Sequence, residues 1–310
     1  MKKISVITLV YNEAEIIRDV YNEIRKVFDG LEGRYDYEHI FMDNCSTDET
    51  VSILKDIASQ DRRVKILAYS KNFGPLKSEM AGYKYATGDA VICYEGNLKD
   101  PPGMIPAFIK YWEQGYDVVY GERYKTGDKF LMSYMRKAFY RIVRAFSDEK
   151  LPLNAGAFRL IDRKVVNELI ILDDYKPYIR GLITSIGFKQ IGVKYARRPR
   201  PKGVSKSSIN YLIDFAINAM ISYSVAPIRV CTYIGLALSG LSFLLAFVGI
   251  VIKLIFWRTT IPGIATIIIL ILMFSGVQLF FLGVIGEYVG AIHSQVRRKP
   301  FVVIKEKVNF

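Results

Sequence analysis

The chain has 310 residues, 51% of them hydrophobic, and its 43 Lys and Arg outnumber its 30 Asp and Glu. This length suits one α/β domain with appendages, and the positive excess indicates an anionic lipid, a phosphorylated substrate or nucleic acid as partner. Nucleic acid is disfavoured because zinc-finger spacings, RNP-like motifs and zipper heptads are missing. The widely spaced Cys45, Cys93 and Cys231 indicate neither a disulfide framework nor a zinc site.

The first 196 residues alternate short β-branched runs with helical patterns, which predicts a mostly parallel, doubly wound α/β sheet. The predicted strands are Ile4–Val10, His39–Met42, Val64–Ala68, Ala90–Tyr94 and Val118–Tyr120. The predicted helices are Glu15–Phe28, Glu49–Ser59, Pro75–Ala86 and Met104–Trp112. In sheets of this kind the ligand lies beyond the carboxyl ends of the strands.

Polar residues follow three of these strands. The first strand is followed by Tyr11-Asn12-Glu13, the second by Asp43 to Thr50, and the fourth by Glu95 to Pro102. Each segment alone is compatible with ordinary turn and cap chemistry. Three acidic, amide-rich turns on one sheet edge instead predict a binding site. A Rossmann or P-loop enzyme is unsupported, because neither glycine-rich motif is present.

Two apolar stretches, Val230–Trp257 and Ile261–Ile285, each exceed the roughly 20 residues that cross a bilayer as a helix. The short Arg258-Thr259-Thr260 connection predicts an antiparallel hairpin; the alternative is a buried helical hairpin in a soluble core. Basic residues outside the hairpin place both chain ends in the cytoplasm. These residues are Arg197, Arg198, Arg200, Lys202 and Lys206 before the hairpin, and Arg297, Arg298 and Lys299 after it.

Between the domain and the hairpin, Ile209–Pro227 carries a polar residue at every fourth position from Asn210 to Ser222. This narrow stripe predicts a helix that lies in the membrane interface, or one that docks on the domain. We therefore expect a catalytic domain over 1–200 and amphipathic juxtamembrane helices over 201–228. Two transmembrane helices over 229–290 and a cytoplasmic tail over 291–310 complete the expected organisation.

Motifs along nearly the whole chain resemble glycosyltransferase family 2, in its polyprenyl-phosphate branch. They are SVITLVYNE (Ser5–Glu13), MDNCSTDET (Met42–Thr50), NFGPLKSEMAGYKYATGDAVI (Asn72–Ile92), NLKDPP (Asn97–Pro102), GYDVVYGER (Gly115–Arg123), FRLIDRKVV (Phe158–Val166), Arg180-Gly181-Leu182, Lys202-Gly203-Val204-Ser205-Lys206 and Gly286-Glu287-Tyr288. Each motif alone is weak, but their order along one chain is specific.

The resemblance implies a GT-A fold and inverting transfer of a hexose from a UDP- or GDP-sugar to a polyprenyl phosphate. The implied protein is an integral membrane enzyme that works at the cytoplasmic face, as a homo-oligomer. By the same resemblance, Val10, Tyr11, Glu13, Asp43 and Asn72 bind the nucleotide, and Glu95 and Asn97 bind Mg²⁺ or Mn²⁺. Together with Glu95 and Asn97, Arg123 and Arg136 form the catalytic set, while Arg200, Lys202, Ser205 and Lys206 bind the lipid phosphate.

Four positions depart from the family pattern. Glu95-Gly96-Asn97 stands where two aspartates separated by one residue are usual, and Asp100 is a third candidate metal ligand. Asn44 replaces an acid, and Ala157 replaces an aspartate that is often assigned a base-like role. A lipid phosphate is already ionised, so a general base is dispensable. The alternative is a catalytically degenerate binding partner of another transferase. A processive polysaccharide synthase is disfavoured, because no QxxRW motif or further membrane helix is visible.

Overall fold

The computed structural model of the protein describes residues 1–125, 155–175, 177–198, 226–255, 263–297 and 299–310. Its strands are β1 (Lys2–Val10), β2 (Tyr35–Asp43), β3 (Val64–Tyr69), β4 (Ala90–Glu95), β5 (Val118–Lys125), β6 (Ala155–Asp162), β7 (Gln190–Ala196) and β8 (Ile304–Val308). Its α-helices are α1 (Ile17–Asp29), α2 (Thr50–Gln60), α3 (Pro75–Tyr85), α4 (Ile105–Glu113), α5 (Arg163–Ile171), α6 (Ile179–Ser185), α7 (Ala226–Ile255) and α8 (Ile264–Val296).

The strands form one sheet in the order β7-β5-β6-β4-β1-β2-β3-β8, and β4, β1, β2 and β3 run parallel. Successive side chains of β1 serve opposite faces, so Val6 joins a core with α1, α2 and α4, whereas Ile7 joins a core with α3, α5 and α6. Burial on both faces explains why most residues of this central strand are apolar, with the buried Ser5 and Thr8 as exceptions. The predicted doubly wound α/β fold is confirmed.

The predicted elements of the first half are present, with differences of up to five residues at their ends. Strand β5 ends at Lys125 instead of Tyr120, and β2 begins at Tyr35 instead of His39. The ring of Tyr37 stacks on Phe28 of α1 with centroids 4.3 Å apart, and Tyr35 is buried in the same core. Aromatic packing against α1 therefore extends the strand beyond its β-branched section.

Three strands were not among those predicted from the sequence. Strand β6 runs antiparallel to both β4 and β5, β7 runs parallel to β5, and β8 runs antiparallel to β3. Strand β8 follows the second long apolar helix in the chain, so residues beyond the hairpin belong to the same sheet as the N-terminal strands.

Helices α7 and α8 have 30 and 33 residues, and both are long and apolar enough to cross a membrane. The candidate spans are Ile228–Gly249 and Met273–Val296, and their side chains are exposed, unlike those of a core hairpin. Gly235 of α7 faces the ring of Phe281 in α8, consistent with antiparallel helices. The predicted Arg258-Thr259-Thr260 turn and most of the predicted juxtamembrane helix, up to residue 225, lie outside the described residues.

Candidate active site

The carboxyl ends of β1, β2 and β4 meet at one edge of the sheet, because β1 lies between the other two strands. Val10 is paired with Asp43, and Leu9 with Glu95. Each of the three turns that follow contains a non-glycine residue with positive φ: Asn12 (52°), Cys45 (64°) and Leu98 (52°). Such conformations are costly for L-residues and concentrate at functional sites. The three polar turns predicted from the sequence thus lie together at one edge of the sheet.

Two of these turns are joined by hydrogen bonds between side chains and backbone. The Asn12 N–H donates to Ser46 Oγ over 2.8 Å, and Asn12 Oδ1 accepts from the Thr47 N–H over 2.7 Å. One residue later, the Glu13 N–H donates to Thr50 Oγ1 over 2.8 Å. These bonds fix the turn after β1 against the start of α2. The residues at these two strand ends, Val10 to Glu13 and Asp43 to Thr50, are therefore preorganised, and we call the surface that they form the wall.

Asp43 is the buried carboxylate of this wall and is only 1% exposed. It accepts hydrogen bonds from the backbone N–H of Ser46, over 3.1 Å, and from the Ser46 hydroxyl. Burial raises the pKa of Asp43, and the bonds from Ser46 offset this increase only in part. Val10 is buried beside Asp43, whereas Tyr11 and Glu13 are partly exposed at the surface of the wall. Four of the five predicted nucleotide-binding residues therefore lie together.

The fifth, Asn72, lies one strand away, after β3. Its Oδ1 accepts from the Gly74 N–H over 2.9 Å and so shapes the turn that leads into α3. Its neighbour Phe73 is connected to the wall, since its N–H donates to Asn44 Oδ1 over 3.3 Å. Asn72 itself lines a separate cavity, so its role in nucleotide binding stays a prediction.

Glu95 and Asn97 stand together at the end of β4. Asn97 Nδ2 donates to Glu95 Oε2 over 2.9 Å, and Arg197 Nη2 donates to the same oxygen over 3.2 Å. Burial tends to raise the pKa of Glu95, but the charges of Arg123 and Arg197 and the bond from Asn97 outweigh it. The pKa therefore lies below its ordinary value, and Glu95 is a carboxylate at neutral pH.

Asp100 is completely buried and holds two arginines. Arg123 Nη2 donates to Asp100 Oδ2 over 3.2 Å, and Arg197 Nε lies 3.3 Å from Asp100 Oδ1. The Tyr195 hydroxyl donates to Asp100 and accepts from Arg123 Nε over 3.1 Å. The third metal ligand suggested by the sequence is thus engaged with cations, and Asp100 anchors Arg123 and Arg197 beside Glu95.

Gly156 on β6 leaves the space that Arg123 occupies. A Cβ at this position would lie 2.9 Å from Nη2 and 3.0 Å from Nε of Arg123. The guanidinium therefore passes directly over the β6 backbone on its way to Asp100. Ala157 follows on the same strand, and its methyl group provides no proton acceptor.

The donor atoms at the end of β4 suit a cation that the substrate helps to bind. Across the described ranges, no three His, Cys, Asp or Glu side chains are grouped around a common metal position. Glu95 and Asn97 instead offer one carboxylate and one amide. Mg²⁺ and similar ions are commonly held by one or two carboxylates, with water and substrate phosphates completing the coordination shell. The predicted metal residues fit this arrangement.

The other predicted phosphate-binding residues, Arg136, Arg200, Lys202, Ser205 and Lys206, lie outside the described residues. The sequence reasoning missed Tyr195 and counted Arg197 only among the charges that flank the membrane. Tyr195 lies near the end of β7, and Arg197 directly follows the strand. Because successive residues of a strand point to opposite faces, Tyr195 and Arg197 point to the same side. An alternating Tyr-x-Arg at a strand end is the signal that could have found them.

Comparison with known proteins shows which family the chain matches. Residues 5–170 match the family model "Glycosyl transferase family 2". "Uncharacterized glycosyltransferase YkcC" of Bacillus subtilis (strain 168) is 35% identical over 97% of this chain and 93% of its own. "Bactoprenol glucosyl transferase" of Shigella phage SfII is 35% identical over 98% of both chains.

A more distant similarity links the chain to a solved enzyme structure. Glucosyl-3-phosphoglycerate synthase from Mycobacterium tuberculosis, solved with Mn²⁺, UDP and phosphoglyceric acid, gives a TM-score of 0.48 at 16% identity. The match covers 71% of this chain and 76% of that one, and it is too distant to support an argument about this site. The family model and the curated relatives are sufficient: the chain belongs to glycosyltransferase family 2.

Proposed function

We propose that this glycosyltransferase moves a hexose from a nucleoside diphosphate sugar to a polyprenyl phosphate at the cytoplasmic face of a membrane, with inversion at the anomeric carbon. The observation that carries the proposal is the 35% identity to a bactoprenol glucosyl transferase over 98% of both chains. That alignment extends over the two apolar helices as well as the catalytic domain.

The wall formed by Val10, Tyr11 and Asp43 would hold the nucleoside. Asp43 is fixed by Ser46 at the end of β2 and can accept hydrogen bonds from a base or ribose. Val10 and Tyr11 offer apolar and aromatic surface next to it. Because the turns are already joined by hydrogen bonds, little ordering would be needed when the nucleotide binds.

Arg123 and Arg197 would stabilise the leaving diphosphate, which gains negative charge as the glycosidic bond breaks. Burial tends to lower the pKa of Arg123, but Asp100 and Glu95 raise it overall, so this guanidinium keeps its charge throughout the physiological range. Charge-assisted hydrogen bonds from arginine to phosphate are strong and directional. Glu95 and Asn97 would hold Mg²⁺ or Mn²⁺, which supplies Lewis-acid stabilisation to the same diphosphate.

The acceptor provides its own nucleophile. A phosphate monoester is largely ionised at neutral pH, since its second pKa is about 6. Its oxygen forms a bond to the anomeric carbon as the bond to the diphosphate oxygen breaks on the opposite face, which inverts the configuration. No proton must be removed, so Ala157 is compatible with transfer when the reactants are well oriented.

The direct test is a transfer assay with purified protein in detergent. UDP- and GDP-sugars would be combined with a short polyprenyl phosphate in the presence of Mg²⁺, Mn²⁺ or EDTA. Lipid-dependent release of one nucleotide would support the proposal and identify the donor, and EDTA sensitivity would support a metal at Glu95 and Asn97. The proposal fails if no pair of donor and acceptor gives product while the protein remains folded.

The residue-level test is Glu95→Ala, which removes the carboxylate that faces both the proposed metal and Arg197. We expect transfer to be abolished because this group cannot be replaced by water in the same position. Glu168→Ala on the exposed side of α5 is the control and should keep wild-type turnover. An undiminished rate for Glu95→Ala would remove that residue from the mechanism.

One observation favours a second candidate, a non-catalytic partner of another transferase. The carboxylates at the end of β4 are paired with arginines, and Ala157 stands in place of an acid. Such a protein would bind a nucleotide sugar or a lipid phosphate without turnover. Measurable transfer by the purified chain alone excludes this candidate, whereas tight nucleotide binding without transfer supports it.

A further inference from the structure

A cavity of about 360 Å³ opens at the outer edge of the sheet, away from the proposed active site. Its walls come from the segment after β3, the first turn of α3 and the segment that joins α8 to β8. Three strand intervals separate β3 from β4, which corresponds to roughly 14 Å at the usual spacing of strands. The cavity is therefore distinct from the site at Glu95.

Three lysines, Lys71, Lys77 and Lys299, line this cavity. Within the ranges that the structure describes, none of the three forms an ion pair with a carboxylate. The nearby Asp173 is instead paired with Lys84, over 3.4 Å. Converging ammonium groups without carboxylate partners raise the local positive potential and attract an anion.

Tyr175 also lines the cavity, and the lysine charges lower the pKa of its hydroxyl. The Lys77 ammonium lies 3.3 Å from the centre of the Tyr175 ring. The Lys77 ammonium is the largest cause of the lowered pKa of Tyr175, and the charges of Lys299 and Lys71 act in the same direction. All three lysines line the cavity together with Tyr175, so their charges face the same space.

The segment around Tyr175 is hydrogen-bonded to the end of α8. Gln295 Oε1 accepts from the Tyr175 N–H over 2.8 Å, and Gln295 Nε2 donates to the Asp173 carbonyl over 3.1 Å. Lys299 follows Val296, the last residue of the candidate span, by three positions, and Val296 is 72% exposed. If α8 crosses the membrane, the cavity lies at the level of the lipid head groups.

We propose that this cavity binds the phosphate of an anionic phospholipid head group from the surrounding bilayer. The proposal rests on the membrane-spanning role given to α8 under the proposed function. The three ammonium groups carry more positive charge than the single negative charge of a phosphodiester requires, and the volume lies at the lower end of the roughly 300–1,000 Å³ of small-molecule sites. A lipid held here would fix the height of the catalytic domain above the membrane.

The test uses the full-length protein in detergent and isothermal titration calorimetry. The ligands are dihexanoyl-phosphatidylglycerol, dihexanoyl-phosphatidylcholine and inorganic phosphate. The variant Lys71→Gln/Lys77→Gln/Lys299→Gln removes the cavity charges. The control Lys26→Gln/Lys110→Gln/Lys305→Gln removes the same charge from exposed positions elsewhere. A thermal melt checks that both variants are folded.

We expect phosphatidylglycerol to bind the wild type and the control equally, and to lose roughly fivefold in affinity per lysine removed from the cavity. Unchanged binding to the cavity variant would overturn the proposal. So would equal binding of phosphatidylcholine, or displacement of phosphatidylglycerol by inorganic phosphate at the same concentration, which would identify free phosphate as the ligand. Because titration requires no turnover, a missing transfer activity would count against the proposed function alone.

Discussion

Asp100 illustrates how a buried charge is retained at a functional site. A carboxylate with no exposed surface is costly unless cations and hydrogen-bond donors compensate for its lost hydration. Arg123, Arg197 and Tyr195 supply this compensation. The compensation also holds both guanidinium groups next to Glu95, where we propose that the diphosphate binds. One residue thus contributes to stability and to the positions of the residues that stabilise the leaving group.

Asp100→Ala should therefore destabilise the fold strongly. The substitution leaves the partly buried Arg123 without its carboxylate partner and leaves Arg197 paired with Glu95 alone, which costs about 3 kcal/mol or more for pairs of this kind. Asp56→Ala is the matched control, because its ion pair with Arg18 has a similar length of 2.8 Å but both side chains are about half exposed. That substitution should change stability by less than about 0.5 kcal/mol. Thermal unfolding in detergent measures both, and equal melting temperatures would contradict the anchoring role.

Gly156→Ala should separate activity from stability. The added Cβ would come within 3.0 Å of the end of the Arg123 side chain, which is flexible and can move aside. We expect an intact fold and a fall in kcat/KM that approaches 100-fold, as is found when a positioned group is displaced by about 1 Å. At Gly103 a Cβ would meet no heavy atom within 4 Å, so Gly103→Ala is the control. Wild-type kinetics in Gly156→Ala would show that the position of Arg123 does not matter for transfer.

At the scale of elements, Glu38 ties several strands together at the end of the sheet opposite the site. Its carboxylate lies on β2 and accepts from Ser5 on β1, from Lys65 on β3, and from the backbone and hydroxyl of Thr87 before β4. Burial tends to raise the pKa of Glu38, but these bonds outweigh it and lower the pKa to about 2. The ionised carboxylate therefore stabilises the folded state.

Stability should follow the protonation of Glu38. Because its folded pKa lies below the ordinary value of 4.5, the contribution is complete above pH 4.5 and is lost as the pH falls toward 2. The shift corresponds to about 3 kcal/mol at neutral pH. Glu38→Gln should lose about this amount at pH 7, and its difference from the wild type should shrink below pH 4.5. Melting curves of both proteins from pH 7 to pH 3 test this, and a difference independent of pH would refute it.

The sequence predicted the elements whose partners are close in the chain. Short β-branched runs indicated β1 to β4, and polar turns indicated Asp43 and Glu95, because strand ends in a parallel sheet meet at one edge. It did not indicate that β7 pairs with β5 or that β8 pairs with β3. Such pairings depend on tertiary packing between distant segments, and no local periodicity encodes them. The partners of Asp100 were missed for this reason, since Tyr195 and Arg197 arrive through β7.

The path of the whole chain is constrained by β8, which follows both apolar helices in sequence and pairs with β3 as the edge strand of the sheet. Lys307 is paired with Leu67 on β3, and Asn309 Nδ2 donates to the carbonyls of Ala58 and Val64. The chain therefore leaves the catalytic domain, passes through α7 and α8, and returns to the same domain. A membrane crossed by these helices must be crossed an even number of times, which agrees with the antiparallel hairpin predicted from the sequence.

The pairing of β8 with β3 predicts that the C-terminus lies on the same side of the membrane as the catalytic domain. The basic residues Arg297 and Lys299 after α8 favour the cytoplasm. A fluorescent protein fused after Phe310 should therefore be fluorescent, and alkaline phosphatase at the same position should be inactive, when each is expressed in a bacterial host. Alkaline phosphatase inserted between α7 and α8 should be active, which is the internal control for membrane crossing. Because β8 cannot pair with β3 across a bilayer, the C-terminus and the catalytic domain share one side, and an active phosphatase at the C-terminus would contradict the cytoplasmic location of both.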